Sequence, residues 1–155
     1  MTELAIGHAA PQFELPRDGG GMIRLTDFRG KIVVLFFYPK DDTTGCTAEA
    51  IDFTRRMPDF ESCGAVVMGV SPDSVGRHER FKSKHQLAMP LIADEMHVAL
   101  AAYGVWAKKS LFGRKHMGVL RTTFVIDRSG TIARIWRNVR VTGHAAEVLA
   151  AVQEM

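Results

Sequence analysis

The chain has 155 residues, 46% of them hydrophobic and 24% charged, with a formal net charge of +3. That length buries a full core without staples and reads as one domain spanning residues 1–155. The two cysteines exclude a disulfide-stapled scaffold and point to a reducing compartment.

The opening MTELAIGHAAPQFEL lacks a basic leader before an apolar run. No apolar stretch approaches the roughly 20 residues that a membrane span needs. A cytoplasmic protein with no membrane partner is expected. Mild basicity by itself does not indicate nucleic acid.

In chain order, short strands are expected at 12–15 and 22–25, with GGG at 19–21 as the hairpin turn between them. IVVLFFY (32–38) is a continuous β-branched and aromatic run, the pattern of a strand buried on both faces. From Cys46 to Phe60 apolar residues recur at Ala50, Phe53, Met57 and Phe60, one stripe of a helix that Pro58 should kink or end near Met57. AVVMGVS (65–71) reads as another buried strand.

Ser74 is placed to cap a polar helix running to about Gln86. Asp94 and Glu95 open a further helix with Val98, Ala101 and Ala102 as its buried side. The basic run KKSLFGRKH (108–116) reads as a solvated loop, with a docking face for an acidic reductase as the sharper reading. It lacks the stacking aromatics that nucleic-acid binding wants. TTFVID (122–127) and TIARIW (131–136) form a hairpin, and GHAAEVLAAVQE after Gly143 is the last helix. Trp136 is expected in the core, with Trp106 and Phe112 along the rim of the site. Strands and helices alternating at this spacing imply an α/β fold with a mixed central sheet flanked by helices.

Cys46 falls at the seam between the strand 32–38 and the helix that follows. There, unpaired backbone N–H groups and the positive end of the helix dipole favour a thiolate. Pro39 ends the strand and can wall the sulfur off from water. Thr43 offers a hydroxyl that donates and accepts, and Gly45 lets the backbone turn sharply and a small substrate approach. The nearby charges Asp41, Asp42 and Glu49 are all acidic, so the cation that would hold a thiolate must come from elsewhere. Arg121, at the head of the strand 122–127, is the best candidate. A buried, inert thiol is the ordinary fate of a free cysteine, but these neighbours favour a reactive one. The six histidines are scattered without paired ligand spacing, so a metal site is not expected.

The pattern Pro39-x-x-x-Thr43-x-x-Cys46 resembles the signature of the peroxiredoxins. FFYPKDDTTGCTAEA is similar to the subgroup called peroxiredoxin Q or bacterioferritin comigratory protein. APQFELP, LTDFRGKIVVLFFYPKD, GVSPDS, KSLFGRKHMGVLRTTFVID and TGHAAEVL extend the likeness over nearly the whole chain.

The resemblance implies a thioredoxin-like fold and reduction of hydrogen peroxide or organic hydroperoxides through a cysteine sulfenic acid, with no metal or organic cofactor. It makes Cys46 the peroxidatic cysteine. It gives Thr43 the attacked peroxide oxygen, Pro39 the shield, Arg121 the polarising cation and Glu49 the orientation of that arginine. A redox sensor that signals through a mixed disulfide would use the same thiol, and turnover with a reductant separates the two.

The likeness is incomplete at the second thiol. Many members of the subgroup carry a resolving cysteine five residues after the first, where this chain has Ile51. Others carry one in the next helix, where FKSKHQ (81–86) has none. The remaining cysteine, Cys63, lies beyond a helix that would rise about 16 Å between residues 46 and 57. A disulfide needs Cα atoms within about 7 Å. Cys63 is therefore expected to be structural and buried. The expected cycle uses one cysteine and an external thiol: thioredoxin, glutaredoxin or a low-molecular-weight thiol. A monomer or weak dimer is expected.

Overall fold

The computed structural model describes residues 3–155. Its centre is a five-stranded mixed sheet. The strands are β3 (Ile32–Phe37), β4 (Ala65–Ser71), β5 (Leu91–Ala93), β8 (Thr122–Ile126) and β9 (Ile132–Trp136), in the order β5-β4-β3-β8-β9. β3 runs parallel to β4 and antiparallel to β8. All six residues of β3 are buried, as a central strand covered on both faces requires.

The alternation along β3 divides the interior in two. Ile32, Val34, Phe36 and Tyr38 pack with Phe53, Phe60, Phe81 and Val148. These last residues come from α1 (Thr44–Arg55), α2 (Met57–Ser62), α3 (Val75–His85) and α5 (His144–Gln153). Val33, Leu35 and Phe37 pack on the other face with Phe124, Leu100 and Tyr103. Two-residue periodicity thus builds both layers from one strand.

Gly69 on β4 allows the first layer to close. A Cβ there would lie 2.9 Å from Phe36, 3.0 Å from Tyr38 and 3.1 Å from Leu91. Gly69→Ala should lower the unfolding free energy by about 1–3 kcal/mol, the usual cost of overpacking. Denaturant titration checks this, and a change under about 0.5 kcal/mol would contradict the packing account.

The expected break near Met57 is present, since α1 and α2 are separated at Arg56 with Pro58 in the first turn of α2. Ser74 caps α3 by accepting from the Arg77 amide at 3.2 Å. Gly19, Gly20 and Gly21 all have positive φ and lie in the turn between β1 (Glu14–Pro16) and β2 (Met22–Arg24).

Several expectations need correction. Residues 108–116 are not a loop: β6 (Trp106–Leu111) and β7 (Arg114–Val119) form an antiparallel hairpin with Phe112 and Gly113 at its tip. Both tip residues have positive φ, which a two-residue hairpin turn demands. Phe112 is 97% exposed and covers nothing, while Trp106 stacks on His97 with ring centroids 3.9 Å apart.

The helix expected from Asp94 is the short α4 (Val98–Ala102). Its buried residues are Ala99 and Leu100, whereas Val98, Ala101 and Ala102 are exposed. Asp94 is itself buried outside the helix, accepting from the amides of Val98 and Leu100 at 2.8 Å each, so the helix starts at Val98 and not at Asp94. Trp136 is only half-buried at the core edge, with its indole N–H donating to Glu147 at 3.3 Å.

Candidate active site

The sheet register assembles the site. The last antiparallel pair of β3 and β8 is Phe37 with Thr122. The next residues outward are Tyr38, which leads into the Pro39–Thr43 turn, and Arg121. Residues 75 positions apart are therefore forced to the same end of the sheet. Arg121 Nη2 donates to Cys46 Sγ at 3.3 Å, and Nη1 donates to Glu49 Oε1 at 2.7 Å.

Cys46 lies in the first turn of α1, as expected, with Thr43 as the residue before the helix. Thr43 does not cap the helix through its side chain; its hydroxyl donates to the Lys40 carbonyl at 2.8 Å. Pro39 is half-buried at the start of the turn, and Thr43 is exposed.

Gly45 serves a different purpose from the sharp turn expected of it, because its φ is not positive. A Cβ at Gly45 would lie 3.3 Å from Arg121 Nη2. The missing side chain makes room for the guanidinium. The sulfur itself is deeper than the sequence suggests: Cys46 is 1% exposed, with the guanidinium against it.

The charges are coupled. Burial opposes a charge on Arg121, but the neighbouring Glu49 and Cys46 outweigh it and hold its pKa above the usual arginine value. Glu49 is 1% exposed. Burial pushes its pKa up to about 7, against the lowering effect of Arg121. The upward direction for Glu49 agrees with its geometry, since Oε2 is the one buried side-chain polar atom without a partner among the described residues.

The raised carboxyl pKa of Glu49 makes stability depend on pH. The unfolded carboxyl loses its proton near 4.5 and the folded one near 7, so the folded state holds the extra proton in between. Glu49 therefore makes stability fall as pH rises from about 4.5 to about 7, with no further change above. Melting curves of the wild type and Glu49→Gln, taken from about pH 4.5 to just above pH 7, check this. The difference between them should shift in favour of the glutamine variant as pH rises, and parallel curves would contradict it.

Cys63 is half-buried at the end of α2, packed against the core rather than sealed within it. His116 is exposed on the β6–β7 hairpin. What sequence reasoning missed is a buried polar cluster directly beneath the Pro39–Thr43 turn, made by Asp41, Asp73 and His78. These residues are up to 37 positions apart and share no spacing motif. Only the fold brings them together. Their ligating atoms lie within 4.8 Å of one another, but each residue is already engaged in hydrogen bonds inside the protein.

A strand-end turn, a helix-mouth sulfur and a guanidinium delivered by the antiparallel neighbour, set on a mixed thioredoxin-like sheet, define a thiol-based oxidoreductase. The chain belongs to the AhpC/TSA family, whose model matches residues 6–135. It is 45% identical over 152 residues to peroxiredoxin Bcp of Bacillus subtilis, covering 98% of this chain and 97% of that one. Its fold superposes on a cysteine-to-serine mutant of PrxQ from Xylella fastidiosa with a TM-score of 0.94 at 34% identity, covering 99% and 98% of the two chains. The bacterioferritin comigratory protein of Xanthomonas campestris, studied for alkyl peroxide reduction, gives 0.88 at 38% identity, covering 92% and 90%. Within the family the chain is a peroxiredoxin of the Q/Bcp group, and hence a thiol-dependent peroxidase. Among the described residues no helix is long and apolar enough to cross a membrane.

Proposed function

We propose that Cys46 is the peroxidatic cysteine of a one-cysteine cycle completed by an external thiol. The observation that carries this reading is the 3.3 Å contact between Arg121 Nη2 and Cys46 Sγ, a cation brought to the sulfur from 75 residues away. The Cys46 thiolate attacks one peroxide oxygen. An S–O bond forms as the O–O bond breaks, and sulfur gives up two electrons. The departing hydroxide or alkoxide takes a proton and leaves as water or alcohol.

Negative charge builds on that departing oxygen. Arg121 and the free amides at the start of α1 are fixed donors aimed at this region, and donors aimed at developing charge lower the barrier. Thr43 holds the attacked oxygen. Its own proton is committed to Lys40, so its lone pairs remain to accept the peroxide proton. Pro39 shields the sulfur, and Glu49 fixes the guanidinium through the 2.7 Å bond. Because the sulfur is 1% exposed, peroxide gains access when the exposed turn before α1 opens locally.

The external thiol is thioredoxin, glutaredoxin or a low-molecular-weight thiol. It attacks the sulfenic sulfur, releases water and leaves a mixed disulfide for a second thiol to resolve. Cys63 stands apart from this cycle, since α1 alone carries the chain about 14 Å from Cys46 before α2 begins. The protein works as a cytoplasmic monomer or weak dimer with no nucleic-acid or membrane partner.

Intact mass after one equivalent of peroxide tests the scheme. Both the wild type and Cys63→Ser should gain one oxygen atom, or form a mixed disulfide when a small thiol is present. An intramolecular 46–63 disulfide would overturn it.

A further inference from the structure

The turn that carries Pro39 and Thr43 is irregular, and it passes through Asp42 at a φ of 63°, a left-handed conformation that costs energy outside glycine. Something must hold it. Asp42 itself reaches Lys84 and His85 of α3, but at the surface, where such pairs contribute little.

The stronger hold is underneath. Asp41 turns inward and is 3% exposed. Its amide donates to Asp73 Oδ2 at 2.8 Å, and its Oδ1 accepts from the Tyr38 hydroxyl at 2.6 Å. Its Oδ2 lies 2.6 Å from Nδ1 of His78, a side chain with no exposure. His78 Nε2 is 2.9 Å from the Ile92 carbonyl, which only accepts, so that nitrogen carries a proton. Nδ1 and Asp41 Oδ2, 2.6 Å apart, are joined by a short buried hydrogen bond. Asp73 is closed in turn by the Ser71 hydroxyl at 2.6 Å and Arg77 Nε at 2.9 Å. Every carboxylate oxygen of the two acids has a partner, and the cluster ties the ends of β3, β4 and β5 to α3.

A buried ion pair is poor evidence for stability, because an apolar filling of the same shape is often as stable. What a fully satisfied buried network supplies is a single geometry. Here that geometry is the path of residues 39–43 into the first turn of α1.

We propose that the Asp41–His78 pair is a positioning device for the reacting cysteine, acting through the turn without touching peroxide. It fixes where Thr43 and the helix mouth stand relative to Cys46, and it limits how far the turn opens over the sulfur. This rests on the assignment of Cys46 as the peroxidatic residue.

The test uses His78→Gln and the charge-neutral double variant Asp41→Asn/His78→Gln. Each is followed by the rate of oxidation with hydrogen peroxide, by iodoacetamide alkylation resolved between Cys46 and Cys63, and by melting. Either folded variant opens the turn more readily but displaces Thr43 and the helix-mouth donors from the sulfur, so reaction with peroxide should be about 10–100-fold slower, as a displacement of about 1 Å at a reacting group does. Its Cys46 should alkylate faster while Cys63 does not change. A peroxide rate within about threefold of wild type, or alkylation that rises equally at both cysteines, overturns the proposal; the second result would mean general loosening.

Hydrogen exchange on the wild type needs no variant to fold. The Asp41 amide should be protected relative to those of Asp42 and Thr43, and equal exchange overturns the positioning role. A wild type inert to peroxide would instead remove the peroxidatic assignment. A reactive wild type with an equally reactive His78→Gln removes only the positioning role.

Discussion

Replacing Cys46 with serine should abolish peroxide consumption while leaving the fold in place. Serine is nearly the same shape, and its hydroxyl can still accept from Arg121 Nη2, so the buried position keeps a satisfied partner. What it loses is chemistry. A serine hydroxyl stays protonated near neutral pH and is a poor nucleophile toward an O–O bond unless a base activates it. The loss should exceed about 10³-fold, as removal of a covalent nucleophile does. Peroxide consumption by Cys46→Ser and Cys63→Ser, measured side by side with a reductant, checks this. Activity should vanish in the first and its oxidation step should survive in the second. The reverse pattern would exchange the roles of the two thiols.

Arg121→Ala should slow oxidation of Cys46 by about 10²–10³-fold, the range found when a fixed donor to a developing anion is removed. In the proposed cycle the guanidinium touches the sulfur at 3.3 Å and would meet the charge that develops on the departing oxygen. Its removal also leaves Glu49, a buried carboxyl whose other oxygen already lacks a partner, with no cation beside it. A loss of stability is therefore expected together with the loss of rate. Arg121→Ala/Glu49→Gln separates the two effects: the melting temperature should recover substantially, and the rate should not. If the rate recovered with the stability, Arg121 would be acting on the fold alone.

The parts of this site that were legible in the sequence are those set by local chemistry. A strand ending just before Pro39, a helix beginning near Cys46 and the break at Pro58 each follow from a few neighbouring residues, and the structure has all of them. Arg121 could be proposed because the local charges around Cys46 are acidic and a cation was missing.

Features that depend on long-range geometry were not legible. β5 is three residues long after Pro90 and shows no period of its own; it exists because β4 offers it an edge. Residues 108–116 are mostly basic and polar, so no hydrophobic alternation marks them as strands. Asp94 looked like the first residue of a helix, yet its side chain caps one that begins four residues later. His78 and Asp41 meet only because α3 packs beneath the turn, and nothing in either local sequence announces the other.

The most direct test of the account is a stopped-flow measurement of fully reduced protein with hydrogen peroxide near neutral pH, followed by peptide-resolved mass spectrometry. A sulfur in contact with the Arg121 guanidinium at 3.3 Å should react several orders of magnitude faster than free cysteine, with the single added oxygen on Cys46. A rate no greater than that of an ordinary thiol, or an oxygen found on another residue, would contradict it.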